Sequence, residues 1–201
     1  MKRLMTIFFI MALTNFANSG TVDIVISGLN GQLIDPTKEI TMMPSDEVGL
    51  GIIYIPSPGL TLFVLSVDMF ASVPGLGTLD PSEPTWPVGV WDLNPPLTGT
   101  QVNPDGSAGI WALPADYGLN EGVAVENIVF HCDAPGTVVI RLRENPNLFP
   151  GESNEIDSSF NLHLLENYGT GVIIHQIPEP ATILLFGLGV PILAGFLRGK
   201  R

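Results

Sequence analysis

The chain has 201 residues, of which 45% are apolar and 14% charged, with 22 Gly, 18 Pro and a formal net charge of −12. Eight basic against twenty acidic side chains exclude a phosphate-tracking nucleic-acid binder. The Gly and Pro content excludes a coiled coil, the apolar fraction excludes a charged disordered chain, and the lone Cys132 excludes a disulfide scaffold. Met1-Lys2-Arg3 opens the chain and the apolar run Leu4 to Leu13 follows. A basic start, an apolar stretch and a small-x-small site have the form of a secretory signal peptide. Ala17 and Ser19 take the −3 and −1 positions, so residues 1–19 read as the leader and signal peptidase cuts before Gly20. The competing reading is a buried N-terminal strand or helix, which the basic start argues against.

Residues 20–177 form one body, a single domain's length. Only Lys38, Arg141 and Arg143 face its nineteen acids, which leaves it at −16, hostile to nucleic acid and to anionic lipid. Its periodicity is that of strands. Val22, Ile24 and Ile26 alternate with Asp23, Val25 and Ser27. Val48 to Ile55 and Leu60 to Phe70 are longer apolar runs bounded by Pro or Gly, as central strands are.

The stretch 71–122 departs from this pattern. It holds eight Pro and eight Gly, and all three tryptophans, Trp86, Trp91 and Trp111. Val88 to Trp91 and Ala108 to Trp111 are candidate short strands, and Asn103-Pro104-Asp105-Gly106 between them is a turn signal. The region reads as long connections across one side of the fold. Exposed tryptophans stack on sugar rings, whereas buried ones plug a core. Burial is the expectation here, with Trp86, set between Pro84 and Pro87, the most exposed of the three.

Further strands follow at Val123 to Cys132, at Val138, Ile140 and Leu142, at Phe160, Leu162 and Leu164, and at Gly171 to Gln176. In each alternating run one face should meet a core and the other water. Eight to ten strands with Gly/Pro punctuation make the fold class all-β, a single antiparallel β-sandwich, with a barrel as the alternative. Val125-Glu126-Asn127-Ile128-Val129-Phe130, then Ala134-Pro135-Gly136-Thr137, then Val138-Val139-Ile140, resembles the late hairpin of cohesin-like domains. That resemblance implies a nine-stranded jelly roll that binds a partner or serves as a wall module.

Candidate chemistry is sparse. His131 and Cys132 are neighbours on one strand, so their side chains point to opposite faces and cannot form a catalytic pair. Cys132 reads as a buried apolar residue and His131 as exposed. His163 and His175 have no ligand-type partner at strand or helix spacing. The acidic loop with Glu152, Glu155 and Asp157 offers oxygens of the kind calcium takes, with Asp92 and Asn94 as weaker candidates. A solvated acidic loop is the expectation, and no cofactor is assigned.

The chain closes on Pro178-Glu179-Pro180, the uncharged run 181–197, and Arg198-Gly199-Lys200-Arg201. As a helix that run would be roughly 26 Å long, near the lower limit for crossing a bilayer. The basic tail Arg198, Lys200 and Arg201 would stay on the cytoplasmic side. A buried core helix is the alternative, but no polar face marks it. In this order the three parts resemble the PEP-CTERM sorting signal. The resemblance implies processing by a membrane-embedded exosortase in a Gram-negative bacterium that makes extracellular polysaccharide, with Pro178, Glu179 and Pro180 as recognition residues.

The expectation is an exported protein, held in the membrane by its C-terminal helix before processing and then placed at the cell surface or in the extracellular matrix. Its body would be a structural or adhesive module and not an enzyme. Its partners would be signal peptidase, exosortase and an extracellular polysaccharide or surface protein, with no nucleic acid among them. The alternatives are a carbohydrate-binding module using Trp86, Trp91 and Trp111, and a secreted hydrolase using carboxylates such as Glu152 and Asp157.

Overall fold

The computed structural model describes residues 19–87, 98–113, 118–145 and 152–178. The leader up to Asn18, the candidate strand Val88 to Trp91, and Glu179 onward with the expected helix 181–197 lie outside them. Every regular element within the described residues is a strand, and no helix there is long and apolar enough to cross a membrane.

Two sheets build the body. The first runs β13 (Asn167–Tyr168), β1 (Thr21–Leu29), β4 (Glu47–Ile55), β9 (Gly122–Cys132), β6 (Gly77–Asp80), with β2 (Gln32–Thr37) also pairing with β1. The second runs β12 (Leu162–Leu164), β11 (Asn154–Asp157), β5 (Leu60–Ala71), β10 (Gly136–Glu144), β14 (Val172–Gln176), β3 (Glu39–Met42). There β8 (Ala108–Ala112) also pairs with β5, and β7 (Thr98–Val102) pairs with β8. Pairing is antiparallel except where β13 joins β1 and where β3 joins β14, so the sheets are mixed at two edges.

Alternation sets the core. Val22, Ile24 and Ile26 of β1, with Leu50 and Ile52 of β4, face Val67 and Met69 of β5, Ile140 of β10 and Ile174 of β14. All of these side chains are fully buried. Among the described residues this core lies between Val22 and Ile174, within the body.

Three local devices hold the frame. Asn30 and Gly31 both take positive φ, 47° and 75°, and turn β1 into β2 as an Asn-Gly hairpin does. β5 is longer than its partners: β10 covers Val67 to Ala71 and β11 covers Leu60 to Val64. At the gap the buried Ser153 hydroxyl accepts from the Ser66 N–H at 2.8 Å and donates to the Ser66 carbonyl at 3.0 Å, replacing the missing ladder bonds. The Asn103 turn is also as expected, with Gly106 at φ 79° between β7 and β8.

Two expectations need correction. Phe160, Leu162 and Leu164 do not face the core: they are 70%, 60% and 49% exposed, and Leu165 is the buried residue. β12 bonds to β11 alone at the end of its sheet, so the period of a strand is present with nothing packed over it. The stretch 71–122 is likewise more than connections, since β6 completes one sheet, and β7 and β8 extend the other.

The two ends of the body leave at opposite ends of the strands. Thr21 opens β1 opposite Ile55, whereas β14 closes with Gln176 beside Gly136 and Met42.

Candidate functional site: the outer face of β8, β5 and β10

Side chains that alternate away from the core line the outer face of the second sheet. β8 contributes Trp111, β5 contributes Ser66, Asp68 and Phe70, and β10 contributes Arg141 and Arg143. Register sets them side by side, with Ser66 opposite Trp111, Phe70 opposite Arg141 and Asp68 opposite Arg143.

Asp68 is the hub. It is 4% exposed, and a buried carboxylate needs compensating donors. Arg143 supplies Nε at 3.2 Å and Nη2 at 3.1 Å to Oδ2, while Asn103 and Asn145 amides donate to Oδ1 at 2.9 and 2.7 Å. The Arg143 Nη2 also donates to Asp105 at 2.8 Å, and the guanidinium lies over the Phe70 ring, 5.1 Å from its centroid. Hydrogen bonds from Ser107, then the Arg143 guanidinium, hold the Asp105 carboxyl down at about 2. The same carboxylates hold Arg143 charged, with its pKa raised. Arg141 is exposed and has no ion pair or hydrogen bond among the described residues. Trp111 is half-buried and lies over Gly99 of β7, where an added Cβ would come 2.3 Å from the indole. Gly99 therefore lets the ring lie flat on the sheet.

The sequence singled out other residues. Trp86 is half-buried against the core, while Trp91 lies outside the described residues. Cys132 is buried, and burial followed by Asp46 and Asp133 pushes its thiol up to about 11, so it is an inert core group. His131 is partly exposed and pairs with Glu47 at 3.2 Å, and His175 pairs with Glu39 at 2.7 Å.

The three acidic-loop carboxylates do not converge. Glu152 is exposed. Asp157 accepts from the Ser159 and Asn161 backbone and lies 3.2 Å from His163, with hydrogen bonds, chiefly from Asn161, holding its carboxyl well below the usual range. Glu155 turns inward instead. It is fully buried and accepts from Tyr54 at 2.5 Å and from the Gly20 N–H at 2.8 and 3.0 Å. Burial, then Glu155, pushes the Tyr54 phenol well above its usual range. Among the described residues no group of three His, Cys, Asp or Glu stands ready to hold a metal ion. A half-open groove of about 600 Å³ lies beside this hairpin, lined by Leu60, Phe63, Asn120, Ile156 and Phe160 among others.

Known proteins share this framework at low identity. A cohesin, CaCohA2 from Clostridium acetobutylicum, superposes with a TM-score of 0.52 at 10% identity, covering 79% of this chain and 92% of its own. A type III cohesin module from the cell-surface anchoring scaffoldin ScaE of Ruminococcus flavefaciens gives 0.55 at 11%, covering 83% and 92%. A cohesin module from a Clostridium perfringens family 33 glycoside hydrolase gives 0.50 at 11%, covering 81% and 100%. The body is thus an all-β fold similar to cohesin modules. No curated protein matches the sequence. The PEP-CTERM protein-sorting motif matches residues 176–201, so the chain carries that sorting signal.

Proposed function

We propose that the protein is exported, held in the membrane by its C-terminal segment, processed there by an exosortase and delivered to the cell surface or extracellular matrix. Its body is a non-catalytic β-sandwich that adheres to a protein partner through the outer face of β8, β5 and β10. One observation carries the binding reading. The body's only two arginines stand exposed on one strand of one sheet face, next to Phe70 and Trp111, while the remainder of the molecule is strongly acidic. Arginine and aromatic side chains grouped on one face are the composition of interface centres. Arg143 is fixed by its carboxylates, so Arg141 is the group left to meet an acidic or carbonyl-bearing partner. The cohesin fold supports this reading, since CaCohA2 is also known in complex with CaDoc0917.

The test applies purified labelled body to host cells that lack the protein. Wild type should bind, Arg141→Glu should lose at least tenfold in affinity with an unchanged melting temperature, and protease treatment of the cells should abolish binding. Equal binding by Arg141→Glu overturns the face. Binding that survives protease but is competed by host polysaccharide replaces the protein partner with a carbohydrate.

A further inference from the structure

Glu155 is the one fully buried carboxylate of the described residues, and no basic side chain among them pairs with it. Its two neutral donors are the Tyr54 hydroxyl and the backbone nitrogen of Gly20, the latter within hydrogen-bond distance of both carboxylate oxygens. A single amide hydrogen aimed at two oxygens is a poor use of a buried charge. An ammonium group at that nitrogen would give each oxygen its own donor and supply the missing positive charge. Gly20 is the residue before which the leader is expected to be cut.

We propose that the α-ammonium created at Gly20 by removal of the leader is the native counter-ion of Glu155, so that maturation installs a buried ion pair and locks the N-terminal end of β1. Hydrolysis of the Ser19–Gly20 bond consumes one water, leaving a carboxylate on Ser19 and an amine on Gly20 that is protonated at neutral pH. Two of its N–H groups meet Oε1 and Oε2, and the third faces the half-exposed position that Ser19 vacates.

The pocket is shaped for this residue. A Cβ on Gly20 would lie 2.3 Å from Glu155 Oε1 and 2.6 Å from Tyr54 Cε2, so any other residue there would be expelled. Ser19 in the uncut chain accepts from Glu166 N–H and Asn167 Nδ2 and donates its hydroxyl to the Gly20 carbonyl, at 3.1 Å each, and none of these bonds reaches Glu155. Order follows from burial. Gly20 is buried in the folded body, so cleavage precedes closure of the pocket and the freed end then docks. The inference rests on the export reading and adds what the cut does to the fold.

Two measurements separate the two ideas. Intact mass of the protein from the native host reads the cut, and an N-terminus at Gly20 is expected. Any other N-terminus removes the inference together with that cleavage site. The second measurement uses the body, within which the core of the described residues lies, prepared with three N-termini: free Gly20, Ser19-extended, and acetylated Gly20. Free Gly20 should melt on the order of 10 °C above the other two. In the Glu155→Gln background the three should melt together, because the ammonium has lost its partner. Equal melting of the three N-termini in the wild-type background overturns the ion pair even when the host protein begins at Gly20. If Glu155→Gln fails to fold, the comparison is made in Tyr54→Phe, where the advantage of free Gly20 should persist.

Discussion

Two carboxylates of this body are nearly inaccessible to water, and they are satisfied in different ways. Asp68 belongs to a complete set, a guanidinium on one oxygen and two amides on the other, all donated by strands and turns of the body. Glu155 receives the Tyr54 phenol of β4 and one backbone N–H from Gly20, the residue just ahead of β1. The first arrangement is finished when the sheet forms. The second gains its positive charge only if the chain is cut beside it. Burial of a charge is therefore no guide to its role until its donors are counted.

Substitutions that remove one donor or acceptor at a time test the contrast. The largest loss should come from Asp68→Ala, which strands Arg143 and two amides. Urea unfolding should show about 3 kcal/mol of destabilisation. If the loss is under about 1 kcal/mol, water replaces the carboxylate and the cluster is a surface network. Tyr54→Phe should cost about 1–2 kcal/mol, since Glu155 keeps its Gly20 donor but loses the phenol.

Asp105→Asn should have the smallest effect at neutral pH, under about 1 kcal/mol, because that side chain is half exposed and its pair with Arg143 is screened. Its signature is in acid. A carboxyl whose folded pKa is depressed adds stability above its unfolded value, near 3.9, and loses it as pH falls toward about 2. A thermal scan across that window should show wild type losing stability more steeply than Asp105→Asn. Parallel curves would assign the acid limb to other carboxylates.

Strand identity was legible in the sequence where alternation was long. β1, β4, β5, β9, β10 and β14 all lie where period-two patterns or bounded apolar runs placed them. Sidedness was less legible. Phe160, Leu162 and Leu164 alternate as cleanly as Val22, Ile24 and Ile26, but period two says only that a strand has two faces, not that a second sheet covers one of them. β6 was invisible because four residues between Pro74 and Pro81 carry no period of their own and form a strand only against β9.

The candidate sites were hidden for a further reason. Asp68 meets Asn103, Arg143 and Asn145 across 35, 75 and 77 positions, and Glu155 meets Gly20 across 135. No local window contains such a pair. The arginines alone left a trace, as two charges at alternate positions of a strand whose other face is Val138, Ile140 and Leu142.

The polar exit of the two chain ends has a consequence for geometry outside the fold. β1 spans about 30 Å, and the sorting segment departs from the Gln176 end, whereas Gly20 and Glu155 sit at the far end. The Gly20 pocket and the Phe160 loop thus lie at the end of the body remote from the start of the sorting motif. In the proposed maturation, the freed Gly20 end therefore docks at the end of the body remote from the sorting motif, so the lock and the tether lie at opposite ends of the strands.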